Sequence, residues 1–333
     1  MVGFGAWAIG GPWRFGWGSV DDDESVAAMR RAVELGVNWV DTAAVYGLGH
    51  SEEVVGRALA PYRVGEEVFV FTKCGRRWEG RPDGVIENDL RPESIRDECE
   101  RSLRRLGVER IDLYQFHWPD WMSGAALEDS WGTMVELVEE GKARWIGVAN
   151  FDTGQLARCE AIRHVDSVQP PLSLLARGAR TTVLPWAAEH GTGAIVYSPM
   201  ASGLLTGSFD GERIARLDAN DWRRESPQFR EPALRQNLAL VERLRPIAAG
   251  LGSTLPELAV AWTLAQPGVT AAIVGARLPR HVEGWARAPD VELSPEVRAE
   301  LAEAVTASGA GTDDPPQPPP HVVAAAGARM GDE

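Results

Sequence analysis

The chain has 333 residues, 44% hydrophobic and 25% charged, with a formal net charge of -14 at pH 7. This is ordinary for a soluble globular protein with a substantial core, and the negative balance argues against nucleic acid or an anionic membrane as partner, because both would repel it. Residues 1–11 lack the basic segment and apolar run of a signal peptide, no apolar stretch is long enough to span a bilayer, and Cys74, Cys99 and Cys159 show no CxxC spacing; together these predict a cytoplasmic protein with reduced thiols.

In chain order, short apolar runs predict strands at Phe4–Ile9, Val37–Asp41, Val68–Lys73, Ile111–His117, Arg144–Asn150, Ser167–Gln169, Ala194–Tyr197 and Thr270–Val274. Helical stretches between them end in Gly just before the next apolar run, at Gly36, Gly107, Gly141 and Gly191, because Gly takes the left-handed conformation that stops a helix. Their apolar residues fall on one face, as in Ile95, Cys99, Leu103, Leu106 and in Leu127, Trp131, Met134, Val138, while Arg101, Arg104 and Arg105 mostly take the wet side. Eight strands alternating with helices imply a parallel sheet, and eight units close into a (β/α)8 barrel, a single domain over residues 1–308 of α/β class. An insert from Met200 to Gln266 interrupts the alternation with a loop over Ser208–Pro232 and helices at about Leu234–Ala249 and Pro256–Gln266; insertions after barrel strands usually build the substrate pocket. Residues 309–333, rich in Pro and Gly, predict a disordered tail.

The polar residues gather where a barrel carries its chemistry, at the carboxyl ends of strands. The second strand runs into Asp41 with Tyr46 five residues on, the third ends at Lys73 and the fourth at His117. Lys73 is one of two lysines against 32 arginines, and a compact ammonium is not interchangeable with a guanidinium. Singly, each of the four has a structural reading as packing, capping or surface charge; four at matching strand ends read as a site. No third Gly follows Gly3-Phe4-Gly5 or Gly47-Leu48-Gly49 at the dinucleotide offset, which excludes a Rossmann domain.

Asp41, Tyr46, Lys73 and His117, with Asp-Thr-Ala-Ala-Val-Tyr-Gly, Gly147-Val148-Ala149-Asn150-Phe151 and Tyr197-Ser198-Pro199, resemble the catalytic tetrad and motifs of the aldo-keto reductases over residues 3–305. The resemblance implies an NADPH-dependent oxidoreductase reducing an aldehyde, ketone or sugar-like carbonyl. Tyr46 would be the general acid, Lys73 would lower its pKa, Asp41 would hold Lys73, and His117 would orient the substrate oxygen. The same resemblance makes Tyr197 the ring stacked on nicotinamide and Asn150 and Gln169 its carboxamide partners. It also lays Ser198, Pro199, Met200, Ser202 and Leu204 along the pyrophosphate and puts Gly275, Arg277 and His281 at the adenosine end, with Arg277 on a 2′-phosphate.

Three positions depart from the family pattern. Ala149 replaces a common Ser, Gly284 and Trp285 stand where many members carry a Glu and an Asn for the adenine, and the hairpin covering the barrel's bottom is missing, so either the start is placed late or that end is less protected. Trp7, Trp13 and Trp118, with Trp17, Trp78 and Trp121, predict an aromatic pocket suited to sugars or bulky ketones. No metal is expected, since HxH and HExxH spacings are absent. The alternative is a redox-sensing protein like the channel-associated β-subunits, which hold the cofactor with little turnover.

Overall fold

The computed structural model describes residues 1–78, 86–219 and 221–315. In chain order its elements are β1 (Val2–Gly5), α1 (Asp22–Glu34), β2 (Trp39–Asp41), α2 (His50–Leu59), β3 (Phe69–Cys74), the short antiparallel pair β4 (Arg76–Arg77) and β5 (Glu87–Asn88), α3 (Pro92–Leu106), β6 (Ile111–Phe116), α4 (Leu127–Glu139), β7 (Ala143–Ala149), α5 (Thr153–Glu160), β8 (Ser167–Gln169), α6 (Val183–His190), β9 (Gly193–Val196), α7 (Gly211–Ala215), α8 (Ala233–Gly250), α9 (Leu255–Leu264), β10 (Val269–Gly275), α10 (Pro279–Glu283) and α11 (Pro295–Ser308). Eight parallel strands close in the order β1-β10-β9-β8-β7-β6-β3-β2, the barrel that the alternation predicted. No single helix among the described residues is long and apolar enough to cross a membrane.

Local sequence sets the helix ends. Asp21 caps α1 by accepting from the Asp23 and Glu24 amides, and Asp152/Gln155 and Thr254/Glu257 form reciprocal capping boxes on α5 and α9. Gly36, Gly107, Gly141 and Gly191 all have positive φ, between 68° and 90°, as the repeated stop requires. The α3 face is buried at Ile95, Cys99, Leu103 and Leu106. Arg105 departs from the expected wet side: its side chain is only 15% exposed because the buried Glu52 draws it inward.

Along a strand, alternate side chains enter the barrel. Trp39, Phe69, Phe71, Leu113, Ile195, Ala271 and Ile273 form an interior cluster, and Trp39 lies stacked on Phe71. A methyl on Gly3 would come 2.2 Å from the Trp39 ring, so only Gly lets that indole cross the barrel. Trp145 adjoins Phe69 at 6.4 Å and the Arg144 guanidinium covers both rings. These aromatic side chains fill the interior toward the amino-terminal end of the barrel, with Trp145 37% exposed.

Three boundaries differ from the sequence reading. The first strand stops at Gly5, and Trp7–Ile9 form a 3-10 turn held by the Trp7 indole bonding the Phe15 carbonyl. Within the insert, short helical turns at Ala201–Thr206, Trp222–Arg224 and Pro227–Phe229 accompany α7, α8 and α9. The stretch placed in a tail from residue 309 packs on the barrel through residue 315: the Arg177 amide donates to Thr312 O at 2.9 Å, and its guanidinium grips Asp313 at 3.0 Å twice and the Leu174 and Ala310 carbonyls. Residues 316–333 of that stretch lie outside the described residues.

Candidate active site

The parity that fills the barrel below also builds its rim. Two residues beyond Trp39, β2 presents Asp41; two beyond Phe71, β3 presents Lys73; and beyond Leu113, β6 and its extension present Gln115 and His117. A one-residue slip of any of these strands would turn its polar group outward.

Asp41 and Lys73 are 3% and 1% exposed. The ammonium donates to Asp41 Oδ1 at 2.5 Å and to Thr42 O at 2.9 Å, and Asp41 Oδ2 accepts from Gln169 Nε2 at 3.0 Å. Burial pushes the carboxyl up and the ammonium down, and the charge of each opposes the shift of the other. Lys73 Nζ lies 5.5 Å from the centre of the Tyr46 ring, and the His117 ring stands edge-on to Tyr46 at 5.6 Å. The four residues expected to act together are therefore brought together.

Tyr46 sits in a turn where its amide donates to Ala43 O and its carbonyl accepts from Ser51 N. That turn presses on the 3-10 segment so closely that a Cβ on Gly47 would lie 1.9 Å from Gly10 O; φ is 61° there, and Gly alone fits. Burial and the Asp41 charge push the phenol well above 10. The direction is opposite to the depression expected from Lys73, and the group is held protonated, the form a proton donor needs. Burial, Lys73 and Arg76 push the His117 imidazole well below 6.5, and its Nδ1 is buried without a partner. His117 is thus neutral at pH 7. The kcat/KM profile for carbonyl reduction is expected to show no acid limb near pH ~6.5, the ordinary histidine value; a limb there that His117→Gln removed would contradict this.

The expected cofactor residues divide. Tyr197 donates to Asn150 Oδ1 at 2.8 Å, and Asn150 Nδ2 donates to His117 O at 3.0 Å, with Asn150 held at φ 64°. Gln169 is 3% exposed, and its amide nitrogen is turned toward Asp41 and Gln115. Ala149 is 1% exposed. Past β9, Ser198 has φ 58° and Ala201, Ser202 and Gly203 follow at 47°, 55° and 98°; such strain persists where the surroundings impose it, and coils of this kind can turn backbone N–H groups toward anions. Pro199 is buried, Met200 packs against the core, and the fully buried Leu204 side chain packs in the hydrophobic core. With its side chain in the core, Leu204 could meet a ligand only through its backbone.

Past β10, Gly275 is exposed, Arg277 donates to the Trp17 and Ser19 carbonyls, and the exposed His281 is pushed down by burial, Arg280, Arg277 and Arg213. Cationic side chains from the loop after β10, from α10 and from α7 thus share one corner. Trp285 is 1% exposed and packs in the core, so its indole does not take the place of the family's adenine-binding Asn.

The aromatic side chains expected to line a pocket divide between two groups. Trp7 and Trp13 each lie 6.3 Å from Tyr46, and Trp78 packs beneath in the cluster of Ala43, Ala44 and Val45. Trp118 has Trp121 as its edge-on ring partner at 6.2 Å. The sequence reading missed Trp222, which reaches across from the insert to stack on Trp7 at 5.1 Å, and Arg223, which pairs with Asp221, bonds Ser202 O and covers Trp17 at 4.4 Å. Nothing local marks these two; only folding brings the insert to the amino-terminal loop. Gln115 was also missed, though its parity with His117 could have revealed it.

The family model described as the aldo/keto reductase family matches residues 1–306. The NADH-specific methylglyoxal reductase of Escherichia coli is 33% identical over 319 residues, 91% of this chain and 95% of that protein. The structure of glycerol dehydrogenase AKR11B4 from Gluconobacter oxydans superposes with a TM-score of 0.83 at 35% identity, covering 96% of this chain and 94% of that one. A Klebsiella pneumoniae aldo/keto reductase in complex with NADP and acetate superposes at 0.67 with 28% identity, covering 95% and 92%.

Proposed function

Because this chain belongs to the aldo/keto reductase family, we propose that it reduces an aldehyde, ketone or sugar-like carbonyl to an alcohol with NADPH, Tyr46 acting as general acid. The observation that carries this reading is the buried Asp41–Lys73 pair beneath a protonated Tyr46 and a neutral His117 at one barrel rim. The residues present fit a nicotinamide dinucleotide: an aromatic ring at Tyr197, amides at Asn150 and Gln169, the strained loop from Ser198, and the Arg277, Arg280 and Arg213 corner. When bound, that cofactor supplies the hydride to the carbonyl carbon. Tyr46 gives its proton to the carbonyl oxygen, the neutral His117 ring standing edge-on to Tyr46 orients that oxygen by a hydrogen bond, and Trp7, Trp13 and Trp222 wall off water.

The relatives from Escherichia coli and Gluconobacter oxydans are a reductase and a dehydrogenase, which favours turnover over a sensing role. The test is quenching of tryptophan fluorescence by NADPH and NADH, followed by ultraviolet absorbance of the reduced cofactor across a panel of aldehydes. Tight binding with steady consumption supports the reductase; tight binding without consumption would replace it by the sensor.

The preference for NADPH rests on the cationic corner, whereas one relative is NADH-specific by name, so the two possibilities are separable. Arg277→Gln is expected to weaken NADPH binding about tenfold or more, the size of a lost charge-assisted contact to phosphate, and to leave NADH within about twofold on the same scale. Equal effects on both cofactors would remove Arg277 from 2′-phosphate recognition.

A further inference from the structure

We propose that Glu52 and Arg105 are positioning residues for this reaction, a buried ion pair that pins the turn carrying Tyr46 and stands behind Lys73. The proposal rests on the roles assigned above to Tyr46 and Lys73. Glu52 follows Tyr46 by six residues on α2 and is fully buried. Its Oε1 accepts from Thr72 Oγ1 and its Oε2 from Arg105 Nε, both at 2.6 Å. Thr72 immediately precedes Lys73 on β3 and points to the opposite face, so the Glu52 carboxylate lies on the helix side of the strand that delivers Lys73 to the barrel.

Arg105 reaches Glu52 from α3 by passing beneath the Tyr46 turn. A Cβ on Gly49, which has φ 101°, would lie 2.9 Å from Arg105 Cδ, and the guanidinium then covers the Trp78 ring at 5.7 Å. Trp78 packs with Ala43, Ala44, Val45 and Tyr46, so one guanidinium touches both the floor of the turn and the carboxylate beyond it. On the other side of α2, Ser51 Oγ bonds Thr42 Oγ1 at 2.9 Å and Ala6 O at 3.0 Å. The residues around Tyr46 are thereby tied to β1, β3 and α3 together.

Packing alone does not call for such a pair, because a buried ion pair can often be replaced by apolar residues without loss of stability. It does set the charge around Lys73. The groups facing that ammonium are Asp41 from β2, Tyr46 from the turn after β2, Glu52 from α2 and His117 just past β6, and the Glu52 charge favours its protonated form; those facing Glu52 are Lys73 and Thr72 from β3 and Arg105 and Cys99 from α3. Removing the Glu52 charge lowers the pKa of Lys73, so the ammonium is lost at lower pH and the alkaline limb of activity moves down.

The experiment is the pH profile of kcat/KM for Glu52→Gln beside wild type and Lys73→Met, with NADPH affinity measured by fluorescence. The expected result is an alkaline limb displaced by about one pH unit, a lower kcat and a cofactor affinity unchanged within about twofold. An unmoved limb with activity lowered equally at all pH values would make the pair merely structural and overturn the proposal. Should Glu52→Gln fail to fold, the double variant Glu52→Gln/Arg105→Met leaves no lone buried charge and must show the same displacement; a wild-type limb there also overturns it. Wild-type activity in Lys73→Met would instead overturn the assignment of Lys73.

Discussion

Tyr46→Phe is expected to lower carbonyl reduction by about 10²–10⁴-fold, the range supplied by a positioned general acid, while NADPH binding stays within about twofold of wild type. The substitution removes one hydroxyl and keeps the ring that packs beside Trp7, Trp13 and His117, so the pocket walls survive. The phenol is held protonated by burial and by the Asp41 charge, which makes its proton the one available to a developing alkoxide. Single-turnover rates with a saturating aldehyde provide the check. Turnover at the wild-type rate would take Tyr46 out of the chemistry.

Lys73→Met acts on stability as well as rate. It leaves the Asp41 carboxylate buried with only the neutral amides of Gln169 and Gln115 beside it, and breaking a buried pair from one side costs about 3–5 kcal/mol, to be read from denaturant unfolding at pH 7. The pH dependence of that deficit has a definite sign. Burial already raises the Asp41 pKa above its ordinary value and Lys73 opposes this; without Lys73 it rises further, the folded state binds the proton more tightly than the unfolded, and stability recovers as pH falls through the raised value. Asp41→Asn/Lys73→Met should therefore regain most of the stability at pH 7 and none of the activity. A double variant as unstable as Lys73→Met would show that the loss comes from packing and not from the stranded charge.

These two effects are large because the polar residues share the barrel's interior parity with large aromatic side chains. Trp39 and Asp41, Phe71 and Lys73, Leu113 and Gln115 are successive inward positions on three strands. Water is excluded beneath the rim by the same alternation that presents the charges to it, and a charge out of contact with water depends strongly on its partner.

The order of strands and helices, the glycine stops and the placing of Asp41, Tyr46, Lys73 and His117 at strand ends were all legible in the sequence, because each depends on local periodicity and backbone freedom. The first strand ended sooner than its apolar run because Trp7 is claimed by the Phe15 carbonyl. The direction of the Tyr46 shift could not be read, since it depends on how deeply the phenol is buried and on its nearness to Asp41. Arg105 looked like a wet helix residue until α2 and α3 came together and set Glu52 against it. Trp222 and Arg223 lie in an irregular insert with no period to give them a face, and only the closed barrel brings them over Trp7 and Trp17. The sequence by itself determined which residues could do chemistry and at which end of the barrel; the tertiary structure decided their charge states and the walls around them, because burial and long-range pairing are properties of the packed chain and not of any segment.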